Sequence, residues 1–373
     1  MIQILDSTLR EGEQTPGVTF NIEEKLKIAN FLDDFGIDII EAGHPRVSND
    51  IFKAVKEISN QGFNAEILAH CRAINEDVDT ARSCDVDWVG IFFCVSNKRL
   101  ESQFRLNLEK AIGLVTKSIE YAKSHGLKVR YTPEDAVRTE YFSLLKISKA
   151  AVEAGADRIS IADTVGAMTP KKIYDLFKKL KSDLNVKFNV HCHNDLGLAT
   201  ANSLAAYEAG ATTIDVSVNG LGERVGIAPL SEICVALHCA YDIKNRWKLD
   251  MLPQISKYVS QASGINIPKN SPIVGDNAFY HNAGLHVAAV LNDPSFYEII
   301  PAEIVGKKRN FVLDKMAGIN TIKHKLKEMN IETDDYNISK LMKYVKSKEK
   351  GHVSDYEIIG LLNENEINTV AYQ

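Results

Sequence analysis

Residues 187–218 read KFNVHCHNDLGLATANSLAAYEAGATTIDVSV and contain a complete strand–helix–strand unit. The apolar run over 188–193 predicts a buried strand, and the run over 213–218 predicts a second one. Between them, residues 196–209 have the apolar spacing of a helix, and Gly210 follows where a left-handed helix cap is expected. This order of elements is typical of a parallel α/β sheet.

The same alternation of strand and helix patterns extends over about the first 250 residues. The eight predicted strands cover residues 3–8, 38–42, 65–70, 88–95, 128–132, 158–163, 188–193 and 213–218. The helical patterns between them include residues 22–35, 108–124, 141–153, 170–181 and 196–209. Eight such units over about 250 residues predict an α/β protein with a (β/α)8 TIM barrel. A doubly wound open sheet is disfavoured because no Gly-x-Gly-x-x-Gly motif follows the first strand.

The alternation stops near Leu252, which predicts a smaller, mainly helical appendage at the C-terminal end of the chain. We expect the barrel over residues 1–250 and a linker subdomain over residues 251–310. A small helical subdomain, rich in Lys and Glu, is expected over residues 311–373.

The composition of the 373-residue chain is that of a globular protein. Its hydrophobic content of 45% and charged content of 25% are ordinary values. The net charge of −5 argues against a nucleic-acid surface, and no apolar run approaches the roughly 20 residues that span a membrane. The six cysteines are scattered through strand and helix patterns, which predicts reduced thiols and a cytoplasmic location.

The His-x-His motif at the end of the seventh predicted strand is the first chemical signal. Side chains alternate along a strand, so His191 and His193 face the same side and could bind one divalent metal ion. Two hydrogen-bonded core histidines are the alternative interpretation. A metal site needs a third ligand, for which Glu11 and Glu13 after the first strand are the candidates, and Arg10 beside them would stabilise an alkoxide.

In a TIM barrel, the C-terminal ends of all the strands meet at one mouth. The polar residues expected at this mouth are Arg10, Glu11, Glu13, Gln14, His70, Arg130, Thr132, Glu134, Asp135, Asp163, Thr164, His191, His193, Asn219, Glu223 and Arg224. Taken singly, Arg130 or Glu134 could be an ordinary rim charge. Their coincidence with two imidazoles at one mouth favours a catalytic site.

Two long motifs resemble signatures of the isopropylmalate/homocitrate synthase family. They are LREGEQTPG at residues 9–17 and HCHNDLGLATAN at residues 191–202. The resemblance implies a Claisen-type condensation of acetyl-CoA with an α-keto acid on a divalent metal ion. Mg²⁺ or Mn²⁺ is expected, with Zn²⁺ or Co²⁺ as alternatives. The implied metal ligands are Glu11, His191 and His193.

The resemblance also bears on which keto acid is used. Leucine-pathway members usually carry Asp at the position of Glu11, and Glu there resembles the 2-oxoglutarate branch, which starts lysine biosynthesis through α-aminoadipate. Arg130 is the main discriminator because a buried second carboxylate must be paired. The residues matched to the keto-acid site are Gln14, His70, Arg130, Thr132 and Thr164. A branch that uses 2-oxoisovalerate or pyruvate is the alternative, and a metal-dependent lyase of the same barrel family is a more remote one.

Residues 281–286 (HNAGLH) and 292–298 (NDPSFYE) resemble family segments that reach into the barrel of a partner subunit. The resemblance implies a homodimer with shared active sites, in which His286 and Tyr297 are catalytic. Glu134 is expected to assist the base, and lysine is a candidate feedback inhibitor. We further expect the glycines at 220 and 222 to let the backbone approach a thioester or pantetheine arm.

Overall fold

The structure, a computed structural model, describes residues 2–244, 246–332 and 334–370. Within these ranges eight parallel strands form a closed barrel in chain order. The strands are β1 (Gln3–Asp6), β2 (Ile39–Gly43), β3 (Glu66–Arg72), β4 (Trp88–Cys94), β5 (Lys128–Glu134), β6 (Arg158–Asp163), β7 (Lys187–Cys192) and β8 (Thr213–Val216). The predicted TIM barrel is confirmed, and a closed barrel excludes the open doubly wound sheet.

Helices follow the strands along the chain. Those of the barrel are α1 (Ile22–Phe35), α2 (Asn49–Ser59), α3 (Asn75–Arg82), α4 (Asn97–Arg99), α5 (Leu108–Ser124), α6 (Tyr141–Glu153), α7 (Pro170–Asp183), α8 (Ala199–Glu208), α9 (Leu230–Cys239) and α10 (Leu252–Ser263). The predicted bounds of α1, α5 and α6 agree with the structure. No helix in the described ranges is long and apolar enough to cross a membrane.

Local sequence signals set the ends of these helices. Asn21 and Glu24 form a reciprocal capping box at the start of α1, where each side chain accepts a hydrogen bond from the other residue's backbone N–H. Gly155 and Gly210, which follow α6 and α8, both have a φ of 107°. A side chain would disfavour this left-handed region, which explains the glycines in these αβ connections.

Strand order brings β1 and β7 close together because both pair with β8. Parallel pairing also places the C-terminal ends of all the strands at one end of the barrel. The loop after β1 and the end of β7 therefore meet at the mouth, as the metal-site hypothesis requires.

The chain divides into two compact units, residues 1–267 and 268–373. Helix α10 belongs to the first unit because it packs on α1, with the rings of Phe31 and Tyr258 5.4 Å apart. A separate linker subdomain over 251–310 stays a prediction.

The second unit is mainly helical within its described residues. It contains β9 (Tyr280–His281), β10 (Asn310–Phe311), α11 (Gly284–Asn292), α12 (Ile319–Glu328), α13 (Asp335–Ser347) and α14 (Asp355–Val370). Its apolar core includes Leu326, Leu341 and Val345. The predicted helical appendage is confirmed, although residues 371–373 of the predicted subdomain lie outside the described residues.

Candidate active site

A cavity of about 490 Å³ opens at the C-terminal ends of the barrel strands. It is lined by most of the polar residues predicted for the mouth, namely Arg10, Glu11, Glu13, Gln14, His70, Arg130, Thr132, Glu134, Thr164, His191, His193, Glu223 and Arg224. Asp135, Asp163 and Asn219 do not line it, because their side chains bond to Arg138, to the backbone of Ala167 and Met168, and to Ser256. The structure therefore brings the lining residues together in one pocket.

Glu11, His191 and His193, here called the metal trio, converge at one side of the pocket. The Nε2 atoms of the two histidines are 3.3 Å apart. Nε2 of His191 lies 4.0 Å, and that of His193 3.8 Å, from an oxygen atom of Glu11. Two donors bound to one ion at about 2.1 Å would be roughly 3.0–3.4 Å apart. All three side chains are buried, and the trio fits a divalent ion after a small adjustment of Glu11.

Glu11 and His193 have the protonation states that metal binding requires. Burial disfavours a charged carboxylate, yet Arg10 and the two imidazoles lower the pKa of Glu11 to about 2. Burial and the neighbouring His191 lower the pKa of His193 to about 4. At pH 7 Glu11 is therefore an anion and His193 a neutral imidazole, and each has an electron pair to donate.

The turn after β1 decides which of the two candidate carboxylates faces the histidines. The backbone N–H of Glu11 donates to the carbonyl oxygen of Ser7 at 2.7 Å, which directs Glu11 into the mouth. Glu13 forms an ion pair with Lys25 and accepts a hydrogen bond from the backbone N–H of Phe20 at 2.9 Å. Of the two candidates, Glu11 completes the metal trio.

Asp215 on β8 orients the first histidine of the trio. Its carboxylate lies 3.0 Å from Nδ1 of His191, so Nδ1–H donates to Asp215 and Nε2 faces Glu11. Asn189 donates to the other carboxylate oxygen, Oδ1, at 2.9 Å. Nη1 of Arg130 lies 3.4 Å from Oδ2, the oxygen that faces His191. Such a carboxylate fixes the tautomer of a histidine ligand. The sequence prediction missed Asp215, although an acid inside a buried strand is a usable signal.

The loop after β8 packs closely against Glu11. The backbone N–H of Glu223 donates to Oε1 of Glu11 at 3.0 Å. A Cβ atom on Gly222 would lie 3.0 Å from Cγ and 3.2 Å from Oε1 of Glu11. Gly222 therefore leaves space for the Glu11 carboxylate, and its expected contact with a pantetheine arm stays a prediction. The interpretation of Gly220 stays a prediction.

Glu41 on β2 is a common acceptor beneath the pocket, and its side chain has no exposed surface. It accepts hydrogen bonds from Ser7, from Nε of Arg10 at 2.8 Å, from Nη2 of Arg130 at 2.6 Å and from Nδ1 of His70 at 3.1 Å. Burial would raise its pKa, but the two arginines hold the pKa of Glu41 well below the ordinary value. The sequence-based prediction gave Glu41 no role.

Arg10 joins the metal trio to this buried acceptor. It forms ion pairs with Glu11 and Glu41, and its Nη1 atom lies 3.2 Å from Oε1 of Gln14. The guanidinium is therefore held beside the position of the ion. This geometry is compatible with the predicted role of Arg10 in stabilising an alkoxide.

Arg130 and Thr132 offer buried donors that have no partner in the described part of the chain. Arg130 is only 2% exposed, and its Nε atom makes no hydrogen bond, nor does Oγ1 of Thr132. Both residues line the pocket. A glycine makes room for the arginine, because a Cβ atom on Gly90 would lie 3.0 Å from Nη2 of Arg130. Sequence analysis gave no role to Gly90.

The remaining predicted residues of the barrel have protein partners. Oγ1 of Thr164 accepts a hydrogen bond from the backbone N–H of Asp135 at 2.9 Å. Glu134 forms an ion pair with Arg99 at 2.6 Å. Both still line the pocket, so their predicted contacts with substrate stay predictions.

His286 and Tyr297 belong to the second unit and lie against each other. Their ring centroids are 4.2 Å apart, with an angle of 31° between the ring planes. Both residues are exposed. The structure therefore pairs an imidazole with a phenol, as the catalytic hypothesis requires, and their approach to a barrel mouth stays a prediction.

Family models match both parts of the chain. Residues 1–259 match the model described as HMGL-like, and residues 273–352 match the one described as homocitrate synthase post-HMGL domain-like. The fold and the pocket define a TIM-barrel protein with a candidate metal centre at its mouth. The chain belongs to the HMGL-like family.

Two relatives define the group within this family. The homocitrate synthase of Pyrococcus horikoshii is 51% identical over 344 residues, which cover 92% of this chain and 94% of that protein. The homocitrate synthase of Sulfurisphaera tokodaii is 46% identical over 351 residues, which cover 93% of this chain and 76% of that protein. The chain therefore belongs with the homocitrate synthases.

Solved structures support the fold. The HMG-CoA lyase of Bacillus subtilis matches with a TM-score of 0.66 and 22% identity, over 73% of this chain and 96% of that chain. An HMG-CoA lyase of Acinetobacter baumannii, in complex with coenzyme A and 3-methylmalate, matches with a TM-score of 0.62 and 19% identity, over 72% of this chain and 93% of that chain. At these identities the likeness concerns the barrel alone.

Proposed function

We propose that this protein is a homocitrate synthase, an acyltransferase that condenses acetyl-CoA with 2-oxoglutarate and hydrolyses the resulting thioester. The observation that carries the proposal is the pair of unpartnered donors, Nε of Arg130 and Oγ1 of Thr132, in the same pocket as the metal trio. Leaving a buried donor without a partner costs free energy. The distal carboxylate of 2-oxoglutarate would satisfy both donors, whereas the apolar tail of 2-oxoisovalerate would satisfy neither.

The pocket has two sides that suit the two ends of this substrate. The metal trio comes from β7, the residue that follows it and the loop after β1, whereas Arg130 and Thr132 lie on β5. A divalent ion held by the trio would act as a Lewis acid toward the ketone. Arg10 stabilises the negative charge that develops on the ketone oxygen as the new carbon–carbon bond forms.

The condensation also requires a base that removes a methyl proton from acetyl-CoA. We assign this role to His286 with Tyr297 beside it, and Glu134 at the pocket wall assists. The exposed apolar residues near this pair suit an interface with a second copy of the chain. They include Leu285 at 77%, Phe296 at 59% and Ile299 at 83% exposure. We further propose a homodimer with shared active sites, in which this pair serves the barrel mouth of the second copy.

The product would enter lysine biosynthesis through α-aminoadipate, which makes lysine a candidate feedback inhibitor. The proposed activity can be tested by following release of free CoA with acetyl-CoA, Mg²⁺ or Mn²⁺, and one keto acid at a time. We expect the highest kcat/KM with 2-oxoglutarate. Equal or faster turnover with 2-oxoisovalerate or pyruvate would contradict the proposal, and cleavage of an acyl-CoA without condensation would indicate a lyase.

Replacing Thr132 by valine should weaken substrate binding without harming the fold. The hydroxyl has no partner in the described structure, so its loss leaves no protein group unsatisfied. We expect the KM for 2-oxoglutarate to rise roughly ten- to a hundredfold, because a hydrogen bond to a charged group contributes about 1.5–3 kcal/mol. Steady-state kinetics at saturating acetyl-CoA measure this change.

Thr213→Val is the matched control. Thr213 is likewise a strand threonine whose buried hydroxyl has no partner in the described structure, but it does not line the pocket. Its replacement should leave the KM unchanged. An equal KM for the wild type and the Thr132→Val variant would show that this hydroxyl does not contact the substrate.

A further inference from the structure

His70 lies in the part of the pocket where the distal carboxylate is expected. Its ring stacks on Phe92, with centroids 4.4 Å apart and an angle of 12° between the planes. Phe92 is the register partner of Thr132 in the adjoining strand. His70 therefore shares one wall with the unpartnered hydroxyl of Thr132.

The protonated nitrogen of His70 is fixed by its neighbour. Nδ1 lies 3.1 Å from the carboxylate of Glu41, which is ionised because Arg10 and Arg130 hold its pKa far below the ordinary value. An ionised carboxylate has no proton to donate. Nδ1 of His70 must therefore carry the proton and donate it to Glu41.

The other nitrogen of a neutral His70 is then an acceptor. Burial and the nearby guanidinium of Arg10 lower the pKa of His70 to about 4, against the opposing effect of Glu41. The ring is neutral at pH 7, and Nε2 carries a lone pair. A carboxylate that binds beside His70 could not form a hydrogen bond with Nε2, because both groups are acceptors and neither carries a proton.

A bound substrate carboxylate would favour protonation of His70. The titratable and charged groups around His70 are Glu41 on β2, Arg10 after β1, Arg130 on β5 and His44 after β2. Arg10 and Arg130 keep the imidazole neutral, and a bound carboxylate would offset their positive potential. Glu41 stays in place as the acceptor for Nδ1–H, so an imidazolium would have both N–H groups satisfied.

We propose that 2-oxoglutarate binds together with a proton, and that His70 changes from a hydrogen-bond acceptor to an imidazolium donor when the distal carboxylate enters the pocket. The inference rests on the proposed function, because it needs a substrate with a second carboxylate. His70 then selects dicarboxylic keto acids through charge. An apolar tail would leave it neutral.

Linkage gives the sign of the pH dependence. A group whose pKa rises on binding takes up a proton, so affinity is greatest at low pH and falls as pH rises through the pKa of the complex. Where His70 is neutral in the free protein and charged in the complex, the affinity for 2-oxoglutarate should fall about tenfold per pH unit. A substrate without the distal carboxylate should lack this dependence.

Calorimetry measures the proton directly. The Mg²⁺-loaded protein, without acetyl-CoA, is titrated with 2-oxoglutarate at about pH 6 in buffers of different ionisation enthalpy. The slope of observed enthalpy against buffer enthalpy gives the number of protons bound. We expect close to one proton for the wild type, and close to none for His70→Gln, which keeps an amide at this position but cannot titrate.

His44→Gln is the matched control, because His44 lines the same pocket but is held by Asp77 at 2.8 Å. This variant should keep the proton uptake of the wild type.

Equal uptake by the wild type and His70→Gln, or loss of uptake in His44→Gln alone, would overturn the inference while the substrate assignment stands. If the His70→Gln variant does not bind 2-oxoglutarate, the pH dependence of the wild-type affinity decides. An affinity for 2-oxoglutarate that does not change with pH would overturn the inference. No binding of 2-oxoglutarate to the wild type would overturn the proposed function, and the inference with it.

Discussion

Replacing Glu11 by glutamine is expected to abolish metal binding at micromolar concentrations and, with it, the condensation. The variant keeps the size of the side chain and an oxygen that can accept the hydrogen bond from Glu223. It loses the anionic ligand beside His191 and His193 and leaves Arg10 with one fewer counter-ion. Metal affinity should fall by more than about a hundredfold, since even partners outside the ligand shell are worth roughly 10- to 100-fold.

Glu13→Gln provides a control two residues away. Glu13 lines the same pocket but is paired with Lys25, outside the metal trio. We expect its metal affinity, measured by calorimetry with Mn²⁺, to match that of the wild type. Circular dichroism checks that both variants fold. Loss of metal in Glu13→Gln together with its retention in Glu11→Gln would reverse the assignment of the ligand.

Replacing Arg130 by lysine should have the second largest effect, which is a weaker binding of the keto acid. Lysine keeps a positive charge near Glu41 and Asp215, so the two buried carboxylates retain a counter-ion. It lacks the Nε–H that has no partner in the described structure. We expect the KM for 2-oxoglutarate to rise at least thirtyfold, the lower end of the roughly 2–5 kcal/mol lost when one partner of a buried charge pair is truncated.

The KM for acetyl-CoA should not change in this variant, which gives an internal control. Arg158→Lys is an external one, because Arg158 is the register neighbour of Arg130, is equally buried and does not line the pocket. Its KM for 2-oxoglutarate should stay at the wild-type value. If Arg130→Lys shows an unchanged KM for 2-oxoglutarate, the distal carboxylate binds elsewhere.

Most of the barrel can be predicted because its signals are local. Apolar runs, amphipathic spacing and glycines such as Gly210 lie within a few residues of the elements that they define. The predicted ends of strands are less accurate. β5 extends to Glu134 beyond the predicted end at residue 132, and β8 ends at Val216 before the predicted end at residue 218. The hydrogen bonds that end a strand come from neighbouring strands, and the spacing of residues along one strand does not contain them.

The residues of the site also differ in how far they can be predicted from local sequence. His191 and His193 could be placed on one face of a strand from their spacing alone. The roles of Glu41 and Asp215 could not be predicted, because their partners are distant in the chain: Arg130 bonds to both, 89 and 85 residues away. A sequence shows that an acid is buried in a strand, but not which cation it meets.

The sequence alone predicts eight βα units in a barrel and two imidazoles at its mouth, because both properties follow from the period of a single element. The packing of the folded barrel determines that Glu11, and not Glu13, faces those imidazoles. The same packing leaves Arg130 and Thr132 each with a donor that has no partner in the described structure, and places Nδ1 of His70 beside Glu41. These properties depend on which atoms remain unpaired after distant strands have packed, and that outcome exists only in three dimensions.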